Sequence, residues 1–385
     1  MKSRPVVALL IETSNAYARG LLEGIVSYVR RHDPWSLYLP EMRRGEVPKD
    51  WPARWKGDGI IARIENVETA RAVRRAKLPT VDLSAGRHLP QVPWVETDDA
   101  AIARLAVEHL AERGFRNFAY CGDRQFAWSR GREEVFTAAV RERGGKCEVW
   151  NSATSDRAGA SWSTEHRRLG EWVRGLPKPV GILACYDIQA QRLLDACREV
   201  GTAVPEEAAV LGVDDDQLLC DLCSPPLSSI VPNTHRTGYA AAETLDRLMR
   251  GEAPANEAQL IPPLGVATRQ STDILAIDDR DVASAVRFIR EHACDGIQVG
   301  DVLRQVPLSR RMLESRFRKL VGRTPHDEIL RIKLDRVKRL LTETDLTLET
   351  VADRAGFRHV EYLSVAFKRV TGMPPSRYRE AHTIG

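Results

Sequence analysis

No apolar run in the 385 residues approaches the roughly 20 needed to cross a bilayer. Nor is a secretory leader expected. The opening "MKSRPVVALLIETSNAYARG" has a basic start and a short apolar run, but an acidic residue and a polar loop follow where a small-residue cleavage site would stand. We read it as the first β-strand of a cytoplasmic protein. Cysteine is sparse and odd in number, with seven residues scattered along the chain, which argues against a disulfide framework. Cys220 and Cys223 in "CDLC" form one suggestive pair, but no second pair exists at zinc-site spacing. They are either two ordinary buried thiols or a redox pair. There is no Gly-rich phosphate loop, G-x-S-x-G elbow or zinc-spaced histidine pair. An enzyme therefore has the least support, and no catalytic residue, metal or cofactor is expected.

At this length two or three domains are the default. The net charge of +4 divides unevenly: residues 281–385 carry a net +6 and the rest a net −2. An acidic partner such as nucleic acid is expected at the basic end. From residue 5 to about 272, short apolar runs alternate with helical stretches, as in "VGILACYD" before "IQAQRLLDACREVG". Repeated βα units of this kind predict parallel sheets covered by helices, here as two lobes with a cleft. Around "STDILAIDDRDV" (271–282) the strand pattern stops and helical periodicity takes over, with Asp281 as the expected N-cap of the next helix. The expected organisation is a sensor over 1–272, a linker over 273–282 and a helical domain over 283–381.

The helical part is written twice. Phe317, Arg318, Gly322 and Pro325 recur as Phe367, Lys368, Gly372 and Pro375, each 50 residues on. Each copy reads as a short helix, a tight turn and a longer second helix, with helix-turn-helix motifs at about 300–321 and 348–371. About sixteen helical residues between them span roughly 24 Å at 1.5 Å per residue. That length can set two recognition helices about one DNA turn, roughly 34 Å, apart. In the first copy Leu313, Phe317 and Leu320 mark a core face, while Arg310, Arg311, Glu314, Arg318 and Lys319 mark another. In the second, Leu363, Phe367 and Val370 are expected inward, and His359, Glu361, Ser364 and Lys368 outward. The competing reading is an all-α dimerisation or regulatory domain with solvated charged faces.

In residues 1–272, polar groups concentrate where strands end: "ETSNAYARG", "VETDDA", "FAWSRGREEVF", "LGVDDDQ" and, more weakly, "ACYDIQA". A sugar presents vicinal hydroxyls and weakly polar ring faces, which carboxylates, guanidinium groups and an aromatic ring can bind. Asp98, Arg132, Asp187 and Asp214 fit the first role, with Arg19 a further guanidinium; Tyr17, Trp128 or Tyr186 fit the second. Asp98 and Asp187 each precede a helical run and also read as N-caps.

Residues 283–381 resemble the AraC/XylS-type DNA-binding domain. The matching positions are Ser309, Leu313, Phe317, Gly322, Arg336, Leu340, Leu341, Val351, Ala352, Gly356, Phe357, Phe367, Gly372, Pro375, Tyr378 and Arg379. The resemblance implies double-stranded promoter DNA as partner. It also implies Arg311, Glu314 and Ser315 as base readers in the first copy, and Val360, Glu361 and Ser364 in the second. Arg318, Lys368 and Arg369 are expected on phosphates, which position without specifying. Residues 5–270 resemble the LacI/periplasmic-binding-protein sensor fold, through "VLGVDDDQ…PPLSSIVPN", "VETDDAAIARLAVEHLAERG" and the arginine of "REEVFTAAV". With the first strand expected from Pro5, no counterpart is expected of the helix-turn-helix that such sensors usually carry at the N-terminus. The combination is similar to the xylose-operon regulators, which implies D-xylose or another pentose as effector, transcriptional activation and a homodimer. The expected fold is thus an α/β two-lobed periplasmic-binding-protein-like sensor domain followed by an all-α domain with two helix-turn-helix motifs.

Overall fold

The computed structural model describes residues 4–46, 51, 55–152, 162–252, 258–273, 279–344 and 346–382. The chain forms two compact units, residues 1–273 and 274–385. The strands of the first unit are β1 (Val6–Leu10), β2 (Ser36–Tyr38), β3 (Gly59–Ala62), β4 (Thr80–Asp82), β5 (Val95–Thr97), β6 (Asn117–Asp123), β7 (Cys147–Ser152), β8 (Val180–Ala184), β9 (Ala208–Val213), β10 (Ser228–Val231), β11 (Gln259–Ile261) and β12 (Gly265–Ala267). Its helices are α1 (Ala16–Arg31), α2 (Val67–Ala76), α3 (Asp99–Glu112), α4 (Ala127–Glu142), α5 (Trp162–Gly175), α6 (Asp187–Glu199), α7 (Gln217–Leu222) and α8 (Thr234–Met249).

Two sheets make two lobes. The first is parallel, in the order β2-β1-β3-β4; the second runs β12-β10-β9-β8-β6-β7, parallel except for β12 against β10. Strands β3, β8 and β9 are buried along their whole length. Helices on both faces leave no polar side, which is why these segments read as unbroken apolar runs. Strand order reverses between β1 and β3 in one sheet, and between β6 and β8 in the other. The carboxyl ends of strands at such switch points are where open α/β sheets bind ligands. The chain passes between lobes after β5, after β10 and between β11 and β12. Helix α8 returns to pack on α1 in the first lobe's core, and β11 pairs with β5.

The second unit contains α9 (Arg280–His292), α10 (Val299–Leu303), α11 (Arg310–Val321), α12 (Pro325–Glu343), α13 (Leu348–Arg354), α14 (Val360–Thr371) and α15 (Pro375–His382). The N-cap of α9 is Asp279, which accepts from the backbone N–H groups of Asp281 (3.1 Å) and Val282 (3.3 Å). Asp281, expected as the cap, instead lies in the first turn, where a negative charge complements the helix dipole. Residues 274–278 of the expected linker lie outside the described residues.

Each copy of the repeat has its own core. Leu313, Phe317 and Val321 pack with α9, α10 and Ile329; Leu363, Ala366 and Phe367 pack with α13 and the Leu330–Leu341 face of α12. The 19 residues of α12 extend about 28 Å, longer than the sixteen expected. Val370 is 56% exposed, contrary to expectation. The last turn of α14 runs past the α12–α13 core, and Ala366 takes the inward position one turn earlier. Gly356, in the turn before α14, has φ +73°, and a Cβ there would lie 2.4 Å from the Cys294 carbonyl oxygen. Only glycine serves both demands.

Cys220 and Cys223 are free and buried. The Cys220 thiol donates to Asp187 at 3.5 Å, and burial raises its pKa; burial pushes Cys223 up to about 11. Neither forms an appreciable thiolate at neutral pH, so the geometry favours two ordinary buried thiols over a redox pair.

Candidate effector site and nucleic-acid interface

Where the strand ends of the two lobes face each other, they enclose a cavity of about 320 Å³. From the first lobe come Asn15 and Tyr17 after β1, Arg44 from the loop after β2, Arg63 after β3, and Glu96 in β5. From the second come Phe126 and Trp128 after β6, Arg132 on α4, Tyr186 and Asp187 after β8, and Asp214 after β9. Of the eight sequence candidates, Tyr17, Trp128, Arg132, Tyr186, Asp187 and Asp214 meet on this wall.

Two candidates do not. Asp98 caps α3, accepting from the Ala101 N–H at 2.9 Å, and the next residue, Asp99, reaches the wall. Arg19 is half-exposed on α1; it donates to the Thr13 carbonyl at 3.1 Å and stands 3.8 Å from Asp216. Asp187 reaches the wall with its carboxylate already occupied. Ser229 Oγ donates to one oxygen at 2.6 Å, while the Asp216 N–H at 2.9 Å and the Cys220 thiol donate to the other. It is the first residue of α6, not its cap, and it braces the Asp214–Asp216 turn. A Cβ on Gly212 would sit 2.2 Å from that carboxylate, so the brace requires glycine there.

The turn itself is strained. Asp214 has φ +115° and Asp215 +48°, a conformation costing about 1–3 kcal/mol per non-glycine residue. It aims the Asp214 carboxylate into the cavity. Burial raises the pKa of Asp214, while Arg132, Arg44 and Arg63 pull it back toward the ionised form.

The arginines are tightly held. Asp99 accepts from Arg132 at 2.8 Å, and Arg132 also donates to the Cys185 carbonyl. Arg63 pairs with Glu12 and, at 2.8 Å, with Glu65; Arg44 donates to Glu65 at 3.0 Å. Burial works against the charge on Arg63, but Glu65 and Glu12 outweigh it and keep the guanidinium protonated. Arg44 also lies over the rings of Phe126 (4.4 Å) and Trp128 (5.1 Å), joining the lobes by cation–π contact. Phe126 stacks on Trp128 at 5.1 Å, and Tyr186 meets Trp128 edge-on at 5.5 Å, forming an aromatic shelf. Arg63 Nε and Trp128 Nε1 have no hydrogen-bond partner among the described residues. An aromatic shelf, a carboxylate among three guanidiniums and unsatisfied donors together suit a polyhydroxylated ligand.

Arg44, Arg63, Glu96, Asp99 and Phe126 were missed by sequence reasoning. Arg63 directly follows a buried strand, the same signal that singled out Asp214. Arg44 sits in a loop with no such marker.

Glu96 accepts from Tyr17 Oη at 2.7 Å, and burial pushes its pKa up to about 7. The folded state therefore holds a proton that the unfolded state releases near pH 4.3, so its contribution to stability falls as pH rises from about 4.3 to 7. The full shift amounts to about 4 kcal/mol, and the side chain's remaining exposure to the cavity reduces this to about 1–2 kcal/mol. Glu96→Gln should match the original chain at pH 4 and exceed it in thermal stability from pH 7 upward. Melting curves across that range check it.

In the second unit, Arg310, Arg311, Ser315 and Arg318 are exposed along α11, with Glu314 half-buried beside Arg310 (3.0 Å). Along the second copy His359, Glu361 and Lys368 are exposed, Ser364 is half-buried, and Val360 packs partly against the core. Lys319 and Arg369 are exposed as well, so all twelve sequence candidates lie at or beside the outward faces of the two second helices. Met312, Tyr362 and Val365 lie there too, at 43%, 50% and 68% exposure. Met312 and Tyr362 occupy equivalent positions 50 residues apart. Sequence periodicity could not separate these apolar residues from core, and on a DNA-reading helix they suit thymine methyl groups.

Three stretches match family models: a XylR N-terminal domain over residues 6–100, a periplasmic binding protein-like domain over 107–272, and a helix-turn-helix domain over 302–381. The xylose operon regulatory protein of Escherichia coli K12 is 32% identical, the alignment covering 98% of this chain and 97% of that protein. Its counterpart in Haemophilus influenzae is 30% identical over 97% of each. The solved structure of a xylose-binding transcription activator, xylR, superposes with a TM-score of 0.84 at 31% identity, covering both chains in full. With a ligand-sized cavity between two lobes and a duplicated helix-turn-helix on one polypeptide, the chain belongs to the xylose operon regulatory protein family, DNA-binding transcriptional regulators with a sugar sensor.

Proposed function

We propose that this protein is a cytoplasmic, homodimeric transcriptional activator that responds to D-xylose. The observation that carries the reading is the cavity wall itself, in which Asp214, three arginines and an aromatic shelf converge from both lobes. Asp214 accepts hydrogen bonds from vicinal hydroxyls, Arg132 and Arg63 donate to others, and Trp128 covers a ring face. Because ligand contacts come from both lobes, sugar favours the closed form, and the shifted population changes how two chains present their readers to DNA. Arg311 pairs with guanine O6 and N7, and Glu314 or Glu361 accepts from cytosine N4. The relatives' names and the xylose-binding structure support D-xylose over other sugars.

A thermal-shift panel of pentoses and hexoses on the full chain tests the effector. D-xylose should raise the melting temperature with concentration, since bound ligand stabilises by RT ln(1 + [L]/Kd). A flat response to every sugar refutes the sensor reading. For the phosphate contacts, Arg318→Ala and Lys368→Ala should each weaken DNA binding equally across sequences. Each should lower the slope of log K against log salt by about one. Fluorescence anisotropy at graded salt measures it.

A further inference from the structure

The turn that presents Asp214 to the cavity is wired to the last residues of the sensor. Asp215, the next residue in that turn, points away from the cavity wall and accepts from Arg269 Nη1 at 2.8 Å; both side chains are largely buried. Arg269 also donates to the Leu227 carbonyl at 3.0 Å, and its backbone N–H and C=O both bond Ser228 Oγ at 2.8 Å. It opens the short segment, Gln270–Thr272, that ends the first unit at Asp273. That segment is held from a second side by α3. His109 Nε2 lies 2.9 Å from Thr272 Oγ1, and Arg113 Nε donates to the Thr272 carbonyl at 2.8 Å. Thr272 Oγ1 donates to Ser228 Oγ at 2.8 Å, so His109 is the donor in their bond. Helix α3 begins at the cavity, where Asp99 holds Arg132.

Two bonded paths therefore run from the effector cavity to the sensor's exit, one through Asp215–Arg269 and one along α3, and they meet at residues 269–272. On the proposed sugar-response reading, we infer that the Asp215–Arg269 pair is the strut that couples the effector turn to the segment leading to the DNA-binding unit. Arg269 lies outside the cavity lining and acts as a positioning residue. When hydroxyls engage Asp214 the strained turn resets, and Asp215 carries the change to Arg269. Arg269 Nε also stands 3.6 Å from the exposed Asp221, but the pair with Asp215 is the buried one, and a buried ion pair is a weak source of stability but a good register device. Removing it should uncouple the two functions while leaving each in place.

The test uses the full chain and a duplex selected by it from a random-sequence pool in the presence of D-xylose. Anisotropy gives the DNA Kd with and without saturating D-xylose, and calorimetry gives the D-xylose Kd. In Asp215→Asn and Arg269→Gln, the ratio of the two DNA constants should collapse toward one, from a wild-type coupling of about 5–150-fold. The D-xylose Kd should stay within about threefold, a difference below 1 kcal/mol. Asp215→Asn retains an acceptor for Arg269 and is the milder change. The charge swap Asp215→Arg with Arg269→Asp should recover part of the ratio, which a merely structural role would not. Wild-type ratios in both single variants overturn the strut, as does loss of D-xylose affinity in step with the ratio. A wild-type ratio of one overturns the sugar-response reading and the strut with it.

Discussion

Asp214→Asn is expected to leave the protein bound to DNA and unresponsive to D-xylose. Its carboxylate faces the cavity opposite Arg132, Arg44 and Arg63, and its backbone sits at φ +115°. Asparagine tolerates that conformation better than other non-glycine residues, so this variant removes the charge with little added strain. A carboxylate taking two hydroxyls makes two charge-assisted hydrogen bonds, each worth about 1.5–3 kcal/mol. Asparagine keeps one neutral acceptor, so losing the charge assistance of both lowers D-xylose affinity by about 10–10³-fold. DNA affinity without sugar should remain within about twofold, because the substitution lies in the first unit. Asp214→Ala should behave alike at a greater cost in stability. Loss of DNA binding and sugar response together would mark Asp214 as structural. Calorimetry with D-xylose beside anisotropy with DNA separates the outcomes.

The second large effect belongs to the repeat. Phe317 and Phe367 stand 50 residues apart, and both are fully buried. Phe367 also meets Tyr378 edge-on at 5.2 Å, tying α15 to its half. Truncating either ring to alanine removes about 3–5 kcal/mol. A domain has about 5–15 kcal/mol in all, so Phe367→Ala should leave the second unit marginally folded. Scanning calorimetry should show its transition moved down by tens of degrees, with the D-xylose-stabilised transition of the first unit in place. DNA binding should fail at growth temperature while D-xylose binding persists. Unchanged DNA affinity would mean that the second copy contributes little to recognition.

The alternation of buried strands and helices made the two-lobed sensor legible, because strands covered on both faces have no polar residues to interrupt them. The 50-residue repeat made the paired helix-turn-helix legible, down to residues 299–321 and 348–371. Reading the cavity was harder, for reasons particular residues illustrate. Asp98 and Asp99 are adjacent and chemically identical; which one caps α3 and which one faces Arg132 depends on where the helix begins. Asp187 was found by its position after a strand, yet its lone pairs serve Ser229, Asp216 and Cys220. Arg44 reaches the aromatic shelf from a distant loop, a relation only the folded chain creates. On α14, Val365 and Val370 carry the same residue type as core positions. Their exposure follows from where α12 and α13 end, which periodicity does not encode.

One chain couples a sugar to DNA through these two units. This coupling is tested most directly by the DNA affinity of the full chain at fixed salt, measured by anisotropy with increasing D-xylose. Affinity should change saturably, with a midpoint that matches the calorimetric Kd for D-xylose and with a coupling of about 5–150-fold. DNA affinity indifferent to D-xylose at concentrations that saturate the sensor would contradict it.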